Sequence, residues 1–189
     1  MEIENLISVR SSEELRDWLL NHSGTEPFCW VIVSMSQKPD TLLYLDAVEQ
    51  ALCFGWIDSV KKKLSDNQLA QRLSPRSARS SWTELNKERV RRLDKLGLMT
   101  DEGRKVLPDM NPDSFRIDPV IEQRLQEDRK TYDHFLACPA LYKRVRIDNI
   151  QSNKHLPELF QSRLDKFITS TKANQMYGQW HDHGRLLDY

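Results

Sequence analysis

The chain has 189 residues, and its 28 Lys/Arg balance its 28 Asp/Glu. A zero net charge argues against a wholesale polyanion binder of the histone type. An apolar content of 39% excludes a disordered chain, and no apolar run approaches the roughly 20 residues of a membrane span.

The first predicted element is a helix. Ser11 with Glu14 fits a capping box, and Leu15, Trp18 and Leu19 form its apolar stripe. Gly24 stops it. Phe28 to Met35, β-branched and aromatic, reads as a short buried strand that Lys38-Pro39-Asp40 breaks. A second helix runs from Tyr44 to Phe54, with Leu45, Val48, Ala51 and Leu52 inward and Gly55 as its stop. Trp56 to Leu64 and Gln68 to Ser74 both alternate, and Ser65-Asp66-Asn67 lies between them. The pair reads as a β-hairpin. Ser81 to Glu84 is a second capping box, opening a helix with Trp82, Leu85, Val90, Leu93 and Leu96 inward. Gly97 closes it, and Thr100 caps a short helix that ends near Leu107.

Residues 108–119 hold three prolines and no periodicity, which is the signature of a linker. Helices over 119–126, 128–137, 139–150 and 157–172 follow. The tail, with Tyr177, Trp180, Leu186, Leu187 and Tyr189, is expected to dock, because exposing it would create a large apolar patch. The expected fold class is α+β: a small antiparallel three-stranded sheet packed with helices, followed by a C-terminal helical region. The expected organisation is a domain over 1–107, a linker over 108–119 and a helical region over 120–189.

Net neutrality hides a segregation of charge. From Val60 to Lys105 there are thirteen Lys/Arg and six Asp/Glu. Apolar phasing puts Trp56, Val60 and Leu64 on one face of the hairpin with Leu69 and Leu73. That register sets Leu64 opposite Leu69 and Val60 opposite Leu73. The other face then carries Lys61 opposite Arg72, a like-charge pair that favours water or an anion as neighbour. The same phasing places Asp58 on the apolar face, where a carboxylate needs partners. Arg76 and the Ser81/Asn86 region are its candidates. Asp58 is then either a structural, hydrogen-bonded aspartate or an acid that contacts a ligand.

Familiar catalytic signatures are absent from the sequence: no phosphate-binding Gly-rich loop, no G-x-S-x-G and no H-E-x-x-H. His181-Asp182-His183 lacks a third metal ligand. Cys29, Cys53 and Cys138 are odd in number and sit among apolar neighbours, as buried hydrophobes do. Cys53, at a helix C-terminus, faces the wrong end of the dipole for a reactive thiolate. Glu49 and Asp58, on either side of a sharp turn, could pair for acid–base work. Trp56 and Trp82 read as core anchors or as stacking platforms. Met1 to Arg10 is acidic with no apolar h-region, so a cytoplasmic location is the expectation.

The run from Glu49 onward carries a longer pattern. It comprises Glu49, then ALCFGWID from Ala51 to Asp58, a basic strand, Arg72-Leu73-Ser74-Pro75-Arg76, and Ser80, Trp82, Thr83, Asn86 and Arg89. This resembles the YdeI/OmpD-associated family, often labelled bacteriocin-protection proteins. Leu73 stands where the family has phenylalanine, and Thr83 where it has serine. The resemblance implies a role in tolerance of stress or peptide antibiotics. It names no chemistry and transfers no catalytic residue.

The functional expectation is a non-enzymatic binding protein. Its pocket of Trp56, Asp58, Lys61, Arg72, Arg76, Trp82 and Asn86 would take a small anionic ligand or a peptide, with no cofactor and no metal. Nucleic acid is the alternative partner, less favoured because no RRM, KH or helix-turn-helix signature is readable. A small enzyme of unrecognised type is the third class.

Overall fold

A computed structural model describes residues 3–65 and 68–189. The chain falls into two compact units, Met1–Ser81 with Arg89–Pro108, and Trp82–Glu88 with Asp109–Tyr189. The fold is α+β, with a four-stranded mixed sheet and helices in the N-terminal half and a helical C-terminal region.

The first unit begins with β1 (Leu6–Ile7) and α1 (Ser12–His22), then β2 (Cys29–Val33) and α2 (Tyr44–Cys53). The hairpin follows as β3 (Trp56–Ser65) and β4 (Gln68–Pro75). Ser11 caps α1, its hydroxyl accepting from the Glu14 N–H at 3.2 Å. The sheet order is β1-β2-β4-β3, with β1 parallel to β2 and the other pairs antiparallel. The expected three antiparallel strands are therefore joined by a fourth, parallel one. Two residues are too few to show an alternation, so β1 left no trace in the pattern.

The hairpin register differs from the expected one. Trp56 faces Pro75 and Asp58 faces Leu73, but Lys61 faces Gln71 and Lys63 faces Leu69. The register shifts twice, between Asp58 and Lys61 and between Lys63 and Ser65. Each shift adds an extra residue to β3, as in a β-bulge. Val60 and Leu64 fall in these two intervals and stand 42% and 43% exposed, where phasing had put them in the core. Leu64 does not oppose Leu69, Val60 does not oppose Leu73, and Lys61 does not oppose Arg72. Gln71 holds the first bulge: its Nε2 donates to the Val60 carbonyl at 3.2 Å and to the Arg72 carbonyl at 3.1 Å. The expected turn at Asp66-Asn67 lies outside the described residues.

Cross-strand pairing assigns the two faces. Cys29, Val31 and Val33 share one with Leu73, Gln71 and Leu69. Trp56 and Asp58 join this face through Pro75 and Leu73. Trp30, Arg72 and Ala70 lie on the other. Trp56 is buried, its ring edge-on to Trp18 at 6.0 Å and its Nε1 donating to the Ser23 carbonyl at 3.3 Å.

Helix α3 (Glu84–Lys95) gives Glu84 to Glu88 to the second unit and the rest to the first. Thr83 caps it, not the expected Ser81: the Asn86 N–H donates to the Thr83 hydroxyl at 3.2 Å. Val90 and Leu93 are buried, whereas Leu96 is 51% exposed. The helix ends in a Schellman turn on Gly97 (φ +71°), with Leu98 N–H on the Leu93 carbonyl and Gly97 N–H on the Asp94 carbonyl, both at 2.9 Å. Leu96 thus lies past the last helical turn and leaves the stripe. Short helix α4 (Asp101–Lys105) is capped by Thr100 and lies against the end of α2. A Cβ at Gly103 would lie 2.1 Å from the Cys53 carbonyl oxygen, so only glycine permits that approach.

The second unit packs α5 (Pro119–Gln126), α6 (Arg129–Ala137), α7 (Ala140–Gln151) and α8 (Pro157–Lys172). Ile121, Leu125, Phe135, Tyr142, Val145, Ile147, Leu164 and Phe167 form its core. Trp180 and Leu186 of the tail are buried in it, while Leu187 is exposed. The proline-rich segment docks Phe115 and Ile117 on the same core and makes a 3₁₀ turn at Pro112–Ser114. A buried ionic cluster belongs to this unit too. Arg144 spans Glu84 at 3.3 Å and Glu88 at 2.8 Å, and the Tyr189 hydroxyl donates to Glu88 at 3.0 Å. Asp148 accepts from the Glu84 N–H at 3.0 Å.

Candidate functional site

The end of β2, the start of α2 and the bulged strand β3 bring one polar group together in the first unit. The carbonyl of Ser34, just past β2, accepts from the Tyr44 N–H at 2.8 Å, and the Ser34 N–H donates to the Leu42 carbonyl at 2.9 Å. These bonds fix the first residue of α2, a position with no side-chain cap of its own. The Tyr44 phenol is thereby aimed at β3, where its hydroxyl donates to Asp58 Oδ2 at 2.7 Å.

Lys61 completes the arrangement. The bulge after Asp58 brings it onto the same sheet face, and its ammonium sits 3.8 Å from the centroid of the Tyr44 ring. It also reaches the Met35 sulfur at 3.4 Å. Its partners among the described residues are thus a ring face and a thioether, not a carboxylate. A cation–π contact of this kind is worth about 0.5–1 kcal/mol at an exposed site. That is enough to orient the ammonium without neutralising it.

Arg76 lies behind Asp58 at the end of β4. The chain is tied there by the Arg76 N–H on the Gly55 carbonyl at 2.9 Å, and Nη1 donates to the Ser81 carbonyl at 2.9 Å. Burial pulls the Arg76 guanidinium below its usual value, and the charge of Asp58 pushes the other way. Asp58 therefore has a hydrogen-bond donor in Tyr44, and its charge acts on Arg76. The sequence pointed to Arg76. It gave no sign of Tyr44, fourteen positions earlier and on another element.

Two of the other sequence candidates, Trp56 and Arg72, go elsewhere. Trp56 is a core anchor. Arg72 points to the opposite sheet face, its guanidinium 4.4 Å from the Phe28 ring centroid. Trp82 and Asn86 belong to the second unit. Glu49 is buried and salt-bridged to Arg92 at 2.9 Å, so it is spoken for as a partner of Asp58. Burial pushes the Cys53 thiol up to about 11 and the Cys29 thiol up to about 12, far from a thiolate at neutral pH. His181 Nδ1 accepts from the Gly184 N–H at 2.8 Å. Among the described residues no group of three His, Cys, Asp or Glu side chains is placed to hold a metal.

Much of the basic run is internally compensated. Arg92 pairs with Glu49, Arg104 with Asp94 and Asp101, Lys105 with Glu102, and Lys87 with Glu84. Lys61 and Arg72 instead rest on the Tyr44 and Phe28 rings.

A family model described as a domain of unknown function (DUF8412) matches residues 7–106, more than half of the chain, and the chain belongs to that family. The matched span contains Tyr44, Asp58, Lys61 and Arg76. No curated protein and no solved structure matches the chain.

Proposed function

We propose that the family span is a non-enzymatic binding module that receives a small anionic ligand at Lys61, in a cationic corner braced by Tyr44, Asp58 and Arg76. The observation that carries this reading is the seat of Lys61. Its ammonium rests 3.8 Å over a ring whose own hydroxyl is held by Asp58. A lysine so oriented offers its remaining N–H donors outward with part of its rotamer entropy already lost. The resemblance of Glu49 to Arg89 to the YdeI/OmpD-associated family supports a role in tolerance of stress or antimicrobial peptides. The three free cysteines, two of them buried, agree with a reducing, cytoplasmic setting. No helix among the described residues is long and apolar enough to cross a membrane.

Nucleic acid is the weaker reading, because carboxylates compensate Lys87, Arg92, Arg104 and Lys105. A polyanion binder keeps its cations available for phosphates. The test is ligand-induced thermal stabilisation with inorganic phosphate, nucleotides, acidic peptides and short oligonucleotides. A ligand at a hundredfold excess over its Kd adds roughly 2.7 kcal/mol of stability. A rise in Tm with a small anion that Lys61→Ala abolishes supports the module. A response to oligonucleotides alone, steeply lost with salt, overturns it in favour of nucleic acid.

A further inference from the structure

The second unit carries a cationic cluster that the hairpin reading leaves unused. Arg146 on α7 and Lys166 on α8 meet at the ring of Tyr177 in the tail, and Arg163 lies three residues before Lys166 on the same face of α8, bonded to the α7 backbone at Asn149. The Arg146 guanidinium carbon is 5.5 Å from the ring centroid, and the Lys166 ammonium is 4.9 Å from it. The charges of Arg146 and Arg163 both act on the Tyr177 hydroxyl, which burial otherwise pushes up.

Among the described residues the partners of these cations are neutral. Arg146 Nη2 donates to the Gln179 carbonyl at 2.8 Å, Arg163 Nη1 donates to the Asn149 carbonyl at 2.7 Å, and Lys166 rests on the ring. Arg146 Nε is buried and makes no hydrogen bond. The backbone is shaped to this guanidinium. Gly178 has φ +74°, and a Cβ there would stand 2.4 Å from Arg146 Nη1. A side chain at 178 would displace the arginine from the ring.

Three like charges gathered without a carboxylate repel one another, and a bound dianion relieves that repulsion. Guanidinium forks match the oxygen geometry of phosphate, and a phenol O–H adds a further donor. We propose that Arg146, Arg163, Lys166 and the Tyr177 hydroxyl form a binding site for the phosphate group of a small phosphomonoester. The site is separate from the Lys61 corner and does not depend on it. The dianionic form dominates above the second phosphate pKa of about 6. Affinity is therefore higher at pH 7.5 than at pH 5.

The experiment follows the arginine Nε–Hε resonances of the full chain at low ionic strength, titrated with inorganic phosphate, glycerol phosphate and adenosine monophosphate. The expected result is a saturable shift of the Arg146 and Arg163 signals. Tighter binding of the esters than of inorganic phosphate identifies the carried group as part of the ligand. Equal binding of all three also supports the site and assigns recognition to the phosphate alone. Lys166→Ala, at an exposed position with no hydrogen bond to lose, and Arg163→Gln each weaken binding about tenfold, the loss of one charge-assisted contact. Lys61→Ala leaves it unchanged. Three results overturn the proposal: no saturable shift with any probe, binding that survives both second-unit variants, or binding lost in Lys61→Ala alone. The last would move the phosphate to the hairpin.

Discussion

Asp58 is where residue chemistry decides most in the first unit. Its carboxylate takes the Tyr44 hydroxyl at 2.7 Å and partly offsets the burial of the Arg76 guanidinium. Removing the acceptor of a hydrogen bond that involves a charged group costs about 1.5–3 kcal/mol. Asp58 is only half-buried, so Asp58→Ala is expected near the lower bound. Tyr44→Phe removes one hydrogen bond to a charged group, about 1.5–3 kcal/mol. Urea unfolding reads both, and midpoints equal to wild type would remove Asp58 and Tyr44 from any bracing role. Asp148 carries the opposite electrostatic sign. Burial is the largest influence on it and raises its pKa, and the Glu84 charge adds to that, against the Glu84 N–H and Lys87. The folded state therefore binds this proton more tightly than the unfolded state. Stability falls as pH rises through the unfolded value, about 4, and up to the higher folded value. Asp148→Asn keeps an acceptor for the Glu84 N–H and sheds the charge. It is expected to unfold at higher urea than wild type at pH 7 and to lose that advantage below about pH 4. A variant weaker than wild type at pH 7 would show the carboxylate to be stabilising.

Strand β3 shows how element-level pattern and packing part company. Alternation located the strand within a residue at each end and still misassigned its faces beyond Asp58. Two bulges, each adding one residue, turn Val60 and Leu64 outward, and period-two phasing cannot register an inserted residue. The compensating group was legible only as a polar interruption, Gln71 between Leu69 and Leu73. Gln71→Leu would complete the apolar alternation of β4. It is nevertheless expected to destabilise by about 1–3 kcal/mol, because the Val60 and Arg72 carbonyls lose their donor. Chemical denaturation checks this, and a gain in stability would mean the bulge needs no support. Helices were read more closely, since caps and apolar stripes are local. Asp118-Pro119, Asp128 and Thr100 begin their helices as the sequence indicated. The misreadings in α3 have local causes too: Thr83 outcompetes Ser81 as the cap, and the Gly97 turn removes Leu96 from the stripe.

At the scale of the molecule, the α+β class and the helical C-terminal half were legible because each element carries its own periodicity. The candidate site was legible only in part. Asp58 and Lys61 stand on β3 and Arg76 directly follows its partner strand β4, so a sequence pattern can join them. Tyr44 and Met35 reach the site through the Ser34–Tyr44 backbone bond between β2 and α2, a tertiary fact with no local signature. Trp56 was assigned to the site by residue type and Arg72 by the expected register opposite Lys61, and core packing and the bulged register take them away from it. The thirteen cations between Val60 and Lys105 suggested one continuous basic surface. Salt bridges tie up Lys87, Arg92, Arg104 and Lys105, while Lys61 and Arg72 each sit on a ring, on opposite faces of the sheet. The proposed function puts an anionic ligand at Lys61. Its most direct test is an amide chemical-shift map of the chain titrated with the anion that gives the largest thermal shift. The strongest shifts are expected at Met35, Tyr44, Asp58 and Lys61, with their loss in Lys61→Ala while the fold stays intact. Shifts confined to other surfaces, or unchanged affinity in Lys61→Ala, would contradict it.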